Sequence, residues 1–182
     1  MAAFLSILRG INVSGQKKII MKDLKALYEG LGFSKVETYI QSGNVVFEHE
    51  QNSDTKVMEE EIRQKISEKY GFEVPIIVKI FDELLPVVNE NPFLKKENIQ
   101  MDKLHVTFLA DFPKQEMIDK ILTISHLLDQ FIIAGKEIYL YCPEGYGNTK
   151  LTNSFFESKL KVTATTRNWK TVNELFSMMQ RA

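Results

Sequence analysis

Apolar positions along this chain fall into two kinds of run, and their spacing predicts the elements. Ala3 to Leu8 is apolar throughout except for Ser6, the pattern of a strand covered on both faces. Met21, Leu24, Leu27, Tyr28 and Leu31 then recur at helical spacing until Gly32 stops the helix. Val36 to Ile40 and Val45 to Phe47 read as strands. They flank Gln41-Ser42-Gly43-Asn44, a hairpin signal in which Gly43 takes positive φ at little cost. Ser53 and Asp54 are capping candidates for a helix carrying Met58, Ile62, Ile66 and Tyr70, which Gly71 ends. Val74 to Ile80 closes the set as another strand, so the order is β-α-β-β-α-β.

Residues 81–102 read as a connector, with a short helix from Asp82 that holds Pro86 in its first turn and breaks at Asn91-Pro92. The pattern then begins again. Leu104, Val106, Phe108 and Ala110 alternate as a strand, and Pro113 opens a helix bearing Met117, Ile118, Ile121 and Leu122. Phe131 to Ile133 and Glu137 to Cys142 flank Ala134-Gly135-Lys136 as a second hairpin. Leu151, Phe155 and Leu160 predict a helix, Val162 to Thr165 a short strand, and Trp169, Val172, Phe176 and Met179 a final helix. The expected class is α+β: two ferredoxin-like βαββαβ units, each an antiparallel sheet with helices packed on one face. They would occupy residues 1–80 and 103–182. The halves share no obvious residue-by-residue similarity, so the repeat is architectural.

Composition narrows the partners. The 182 residues are 44% hydrophobic and 26% charged with a formal net charge of -1, which gives no global drive toward nucleic acid or an anionic membrane. Cys142 is the sole cysteine, so no internal disulfide can form, as fits a reducing cytosol. The opening Met-Ala-Ala-Phe-Leu-Ser-Ile-Leu-Arg lacks the basic region of a signal peptide. No run approaches the roughly 18 apolar residues of a membrane span. The expectation is a cytoplasmic protein with no membrane partner and no cofactor.

Three polar clusters carry the candidate chemistry. The first, Arg9-Gly10-Ile11-Asn12-Val13-Ser14-Gly15-Gln16-Lys17-Lys18, follows a strand and invites comparison with the phosphate loop G-x-x-x-x-G-K-[ST]. Gln16 holds the lysine position and Lys17 the hydroxyl position, and the helix begins only near Met21, so this is not a nucleoside triphosphatase loop. What survives is a guanidinium, two lysines and backbone amides on a glycine-containing loop, a set suited to carboxylate or phosphate. The second cluster is Thr165 to Thr171, where Thr166 or Asn168 can cap the last helix and Thr171 with Glu174 offers a later capping box. Either early cap places Arg167 and Lys170 at the helix N-terminus, where cations oppose the macrodipole unless an anion binds between them. The third is the hairpin tip with Gln41, Ser42 and Asn44, which also reads as a plain turn. That tip is expected at the end of the unit where the first strand begins, away from Arg9. Each of these residues also has a purely structural reading, as a salt bridge, cap or turn.

Other chemistries find less support. His49, His105 and His126 are widely separated and lack metal-type spacing with Cys142, so no metal site is expected. No G-x-S-x-G elbow occurs. Tyr139, Tyr141 and Tyr146 suggest a stacking platform for bases, but the RNP1 pattern is absent.

Arg9-Gly10-Ile11-Asn12-Val13, Met21-x-x-Leu24, Tyr39-Ile40-Gln41-Ser42-Gly43-Asn44 and Thr166-Arg167-Asn168 with Thr171 together resemble a bacterial family grouped as domain of unknown function 1697. The resemblance implies an α+β fold with ferredoxin-like units and implies no established activity. Many members carry paired glycines where this chain has Ser14-Gly15.

The leading functional expectation is binding of a small anionic ligand, phosphate-bearing ones included. Arg9 and Arg167 would pair with the anion, Lys17, Lys18 and Lys150 would attract it, and Asn12, Thr166 and Asn168 would help to orient it. Single-stranded nucleic-acid binding on a sheet face and a structural or interaction role are the alternatives. An enzyme is a further alternative without a mechanism, since no acid, base or nucleophile can be assigned.

Overall fold

The computed structural model describes residues 1–50, 53–124 and 128–182. His126 lies outside them. The chain divides into two units, Met1–Leu85 with Glu174–Ala182, and Pro86–Asn173. The last nine residues are thus grouped with the first unit.

In the first unit β1 (Ala2–Leu8), α1 (Met21–Gly30), β2 (Ser34–Tyr39), β3 (Asn44–His49), α2 (Thr55–Tyr70) and β4 (Ile76–Ile80) follow the predicted order. The strands form an antiparallel sheet in the order β2-β3-β1-β4, the ferredoxin-like arrangement. One face carries Phe4, Leu8, Val45, Phe47, Ile76 and Val78, which pack against Leu24 and Tyr28 of α1 and Met58, Ile62 and Ile66 of α2. Within this core the Tyr28 and Ser6 hydroxyls bond at 2.7 Å, and burial pushes the Tyr28 hydroxyl up from its ordinary pKa. Asp54 caps α2 by accepting from the Lys56 amide at 2.8 Å, and Gly71 ends that helix in the left-handed region at φ 74°. The opposite sheet face is buried too, through Leu5, Ile7, Val46, Ile77 and the side chain of Lys79, whose ammonium lies 3.8 Å from the Glu83 carboxylate.

Helix α3 (Phe81–Asn89) starts directly from β4, one residue earlier than predicted. Pro86 is consequently in its second turn, and the helix continues through it to donate the Glu90 amide to the Pro86 carbonyl at 2.8 Å.

The second unit repeats the plan with β5 (Leu104–Leu109), α4 (Gln115–Leu122), β6 (Gln130–Ala134), β7 (Glu137–Tyr141), α5 (Asn153–Leu160) and β8 (Ala164–Asn168). Its sheet order, β6-β7-β5-β8, matches that of the first unit position for position. Leu109, Ile138, Leu140 and Ala164 pack against Ile121 of α4 and Phe156 and Leu160 of α5. The final helix α6 (Trp169–Arg181) leaves β8 without a loop. The last strand is thus shifted toward the C-terminus relative to the predicted Val162–Thr165, and it absorbs the Thr166-Arg167-Asn168 cluster. Arg167 lies in the ladder, opposite Val106 of β5, and directly precedes Asn168, which caps α6.

Among the described residues no helix is long and apolar enough to cross a membrane.

Candidate functional site

Both units end their first strand in the same way. The Leu8 amide donates to the Gly43 carbonyl at 2.8 Å and the Leu109 amide to the Lys136 carbonyl at 2.8 Å. The next residue turns to the opposite neighbour: Arg9 donates to the Pro75 carbonyl and Ala110 to the Thr163 carbonyl, each at 2.9 Å. Beyond this matched pair the units diverge. The second reaches its helix through residues 111–114, whereas the first builds a loop over residues 10–20.

That loop is held in an unusual backbone shape. Gly10, Asn12, Ser14, Gly15 and Lys17 all have positive φ, and Ser14 and Gly15 do so consecutively at 50° and 74°. Two left-handed residues in succession make a tight reversal of the I′ kind, here closed by the Gln16 amide donating to the Val13 carbonyl at 2.9 Å. Serine therefore takes a conformation that glycine adopts more cheaply. Ile11 is buried and anchors the loop from beneath. Asn12 closes it from within. Its side-chain amide donates to the Ile19 and Gln41 carbonyls and its oxygen accepts from the Ile19 amide, all at 2.9 Å. Lys17 donates its ammonium to the Glu73 carbonyl at 2.6 Å.

The bond from Asn12 to Gln41 overturns the expected separation between this loop and the hairpin tip. Because β1 and β3 are antiparallel, with Ile7 opposite Asn44, the start of β3 lies beside the end of β1. The tip is itself shaped by Ile40 and Gly43 at φ 50° and 75°. A left-handed β-branched residue is a genuine backbone outlier. Asn44, fully buried, donates to the Tyr39 carbonyl at 3.2 Å and the Ser42 hydroxyl at 2.9 Å. Gly43 leaves no room for a side chain, since an added Cβ would stand 2.7 Å from Leu8 Cβ and 2.8 Å from Ile11 Cδ1.

Loop and tip border an open hollow of about 550 Å³ that Lys18, Ile20, Lys22, Gly15 and Gln41 help to line. Helix α1 begins at its wall, and the residue at the cap position, Ile20, offers no side-chain acceptor to the first-turn amides. Lys22 was not singled out from sequence, although its position one residue into the helix beside Lys18 is the signal that finds it. Arg9, Lys17, Lys18 and Lys22 are the only ionisable side chains in residues 1–22, and the first acid, Asp23, lies in the first turn of α1. Val13, Ile20 and Ile40 are 58%, 67% and 50% exposed; Val13 adjoins Asn12, and Ile20 and Ile40 adjoin Ile19 and Gln41, the two residues the Asn12 side chain ties.

The expected residues of the second unit are bonded within it. The Thr166 hydroxyl bonds to that of Thr107 at 2.7 Å and donates to Asn153 Oδ1 at 2.6 Å, which fastens β8 to the start of α5. Arg167, only 9% exposed, donates to the Thr165 hydroxyl at 3.0 Å and the Thr166 carbonyl at 2.9 Å. Asn168 caps α6 by accepting from the Thr171 amide at 2.8 Å, and Trp169 is buried. Lys150 is exposed. The structure thus brings Arg9, Asn12, Lys17 and Lys18 together in one unit, while Lys150, Thr166, Arg167 and Asn168 belong to the other.

A family model described as protein of unknown function (DUF1697) matches residues 1–139. The chain belongs to that family. The DUF1697 match takes in the whole loop, the tip and α1, and it ends before the Thr166-Arg167-Asn168 cluster. No curated protein matches the chain. A solved structure of a conserved bacterial protein from Streptococcus pneumoniae is similar at 21% identity, with 98% of each chain covered and a TM-score of 0.73. At that identity the likeness shows a shared fold.

The tyrosines of the expected stacking platform for bases are engaged by neighbours within the fold. Tyr139 is 6% exposed, and burial pushes its hydroxyl up to about 12. Tyr141 lies against Phe93, with ring centroids 6.1 Å apart, and Tyr146 stacks on His105 at 4.8 Å. Burial also pushes the Cys142 thiol up to about 11, which leaves it protonated and a poor nucleophile at neutral pH. Among the described residues no three His, Cys, Asp or Glu side chains are grouped to hold a metal ion.

Proposed function

We propose that this DUF1697 protein binds a small anionic ligand, with phosphate-bearing compounds as the favoured class, in the hollow beside the first unit's loop. The observation that carries this reading is the meeting of Lys18, Lys22 and the uncapped start of α1 at one concavity. The surrounding segment holds four cations and no carboxylate through residue 22. An anion there would meet amide donors and ammonium groups together, and it would favour the helix dipole instead of opposing it. Asn12 acts in this reading by fixing the loop, because its carboxamide is occupied by three bonds inside it. Lys17 likewise braces the loop against Glu73. The second unit's Thr166 and Asn168 serve the fold, and Lys150 and Arg167 are not part of this hollow. A reducing, cytoplasmic setting agrees with the lone buried thiol.

The test is titration of purified protein at low salt with inorganic phosphate, sulfate and nucleoside monophosphates. At saturation the thermal midpoint is expected to rise by about 2–4 °C. Replacing Lys18 and Lys22 together by Gln should weaken binding about tenfold while leaving stability nearly unchanged. Absence of stabilisation across all three ligand types refutes the reading, as does binding indifferent to the double substitution.

A further inference from the structure

The hollow beside the first unit's loop is larger than a bare anion needs. Its volume of about 550 Å³ falls within the roughly 300–1,000 Å³ of sites that take whole small molecules. Its wall is of two kinds. Lys18 and Lys22 supply charge, and neither has an ion-pair partner among the described residues. Between them in the chain stands Ile20, 67% exposed, with Met21 beside it. Isoleucine is among the poorest residues at a helix cap position, where Ser, Thr, Asp or Asn would bond a first-turn amide. Position 20 therefore leaves an apolar side chain in water and first-turn amides open, and a ligand that covers the one and meets the other relieves both. Asp23 is the acid of the first turn, but its charge acts on the Tyr70 hydroxyl and it does not line the hollow. Gln41, from the hairpin tip, completes the wall. Its carbonyl accepts from the Asn12 side chain at 2.9 Å, while its exposed carboxamide has no hydrogen-bond partner among the described residues. A carboxamide both donates and accepts.

Granted that the hollow holds an anion, we propose that its ligand is a nucleoside monophosphate, with the phosphate at Lys18, Lys22 and the first amides of α1, the base on Ile20 and Met21, and the edge of the base read by Gln41. Each simpler class leaves part of the wall unserved. Inorganic phosphate covers no apolar surface. A sugar phosphate lays hydroxyls on Ile20, where they lose water and gain no partner. An alkyl or acyl phosphate covers Ile20 but sets hydrocarbon against the Gln41 carboxamide. A base has flat apolar faces and an edge of donors and acceptors, so one group answers both needs. Ile20 and Gln41 are then the specificity-determining residues. They meet the organic part of the ligand, and the two lysines meet its charge.

Isothermal titration of the full chain at low salt with inorganic phosphate, ribose 5-phosphate and adenosine monophosphate tests the proposal. Adenosine monophosphate should bind about tenfold more tightly than ribose 5-phosphate, the gain expected from covering one aliphatic side chain. Ribose 5-phosphate should bind about as tightly as inorganic phosphate. Ile20→Ala removes apolar surface without creating a cap, and Gln41→Ala keeps the carbonyl that Asn12 binds. Each should weaken adenosine monophosphate at least about threefold and leave inorganic phosphate within about twofold. Both positions are exposed, so a native circular-dichroism spectrum is expected of both variants, and the wild-type comparison stands without either. Binding of none of the three ligands overturns the anion site and the nucleotide together. Equal binding of all three keeps the anion site and overturns the nucleotide. So does a preference for adenosine monophosphate that either substitution leaves intact.

Discussion

The two units are built alike up to the residue after their first strand, and they part there. Leu8 and Leu109 make the same bond to their hairpins, and Arg9 and Ala110 make the same bond to the other flank. The second unit then crosses to its helix through residues 111–114 and turns its hairpin on Gly135 and Lys136. The first builds residues 10–20 and an Ile40–Gly43 tip, with five and two left-handed residues respectively. Since the second unit reaches the same sheet order without them, the loop and tip are not demanded by the fold. Backbone strain that the fold does not require marks a place where something else is required.

The sharpest way to break this contrast is a matched pair of glycine substitutions at the two hairpins. Gly43→Ala meets Leu8 Cβ at 2.7 Å at a left-handed position, whereas Gly135→Ala, also left-handed, meets nothing nearer than 3.6 Å. Urea denaturation should find Gly43→Ala destabilised by about 3 kcal/mol and Gly135→Ala by about 1 kcal/mol. Equal losses would mean that the first tip is no more constrained than the second. Next in size is Asn12→Ala, which removes three hydrogen bonds and leaves the buried Ile19 amide without its acceptor. A loss of about 2 kcal/mol is expected, together with weaker anion binding.

Acid sensitivity sharpens the comparison from the other side. Burial lowers the pKa of His105 in the second unit, with a smaller opposing effect from the Lys103 carbonyl. The unfolded chain therefore takes up a proton that the folded chain resists, so stability is present above the ordinary histidine pKa of about 6.5 and declines as pH falls below it. His105→Phe, which keeps a ring to stack on Tyr146, should flatten that decline in thermal melts between pH 7.5 and pH 5, values chosen to bracket about 6.5. The smallest effect is kinetic. Cys142, raised to about 11 by burial, should react with a thiol reagent many times more slowly in the native protein than in urea, without change in stability. Fast labelling of the native protein would show the second unit to be far more open than its packing implies.

Most elements were legible because period-2 and period-3.6 apolar spacing survives in both halves, from Phe4 and Leu8 to Phe156 and Leu160. The misreadings have specific physical causes. The sequence pattern ends the last strand early because Thr165 and Thr166 look like a helix approach, yet alternating burial carries the ladder through Arg167 to Asn168. Sequence places Pro86 in a first turn because the helix start at Phe81 has no capping residue before it. At the candidate site the residue types were legible and their meeting was not. The proximity of Asn12 to Gln41 follows from the antiparallel pairing of the first and third strands, a relation no local pattern encodes. Local spacing likewise gives no hint that the Asn12 side chain is satisfied inside its own loop or that Thr166 bonds to Thr107 and Asn153, whereas the capping role of Asn168 is legible in it.

The twin bonds from Leu8 and Leu109 have a mechanical consequence. Each clamps its strand to the neighbouring turn before the connection departs, so a connection of any length is anchored at a fixed point and pulls on nothing behind it. Lengthening an anchored segment is thermodynamically mild, about 0.6 kcal/mol for each doubling. The junctions after Arg9 and Ala110 are therefore where this architecture accepts new chain without slipping its register, and a segment transplanted from one junction to the other should fit the same pair of posts.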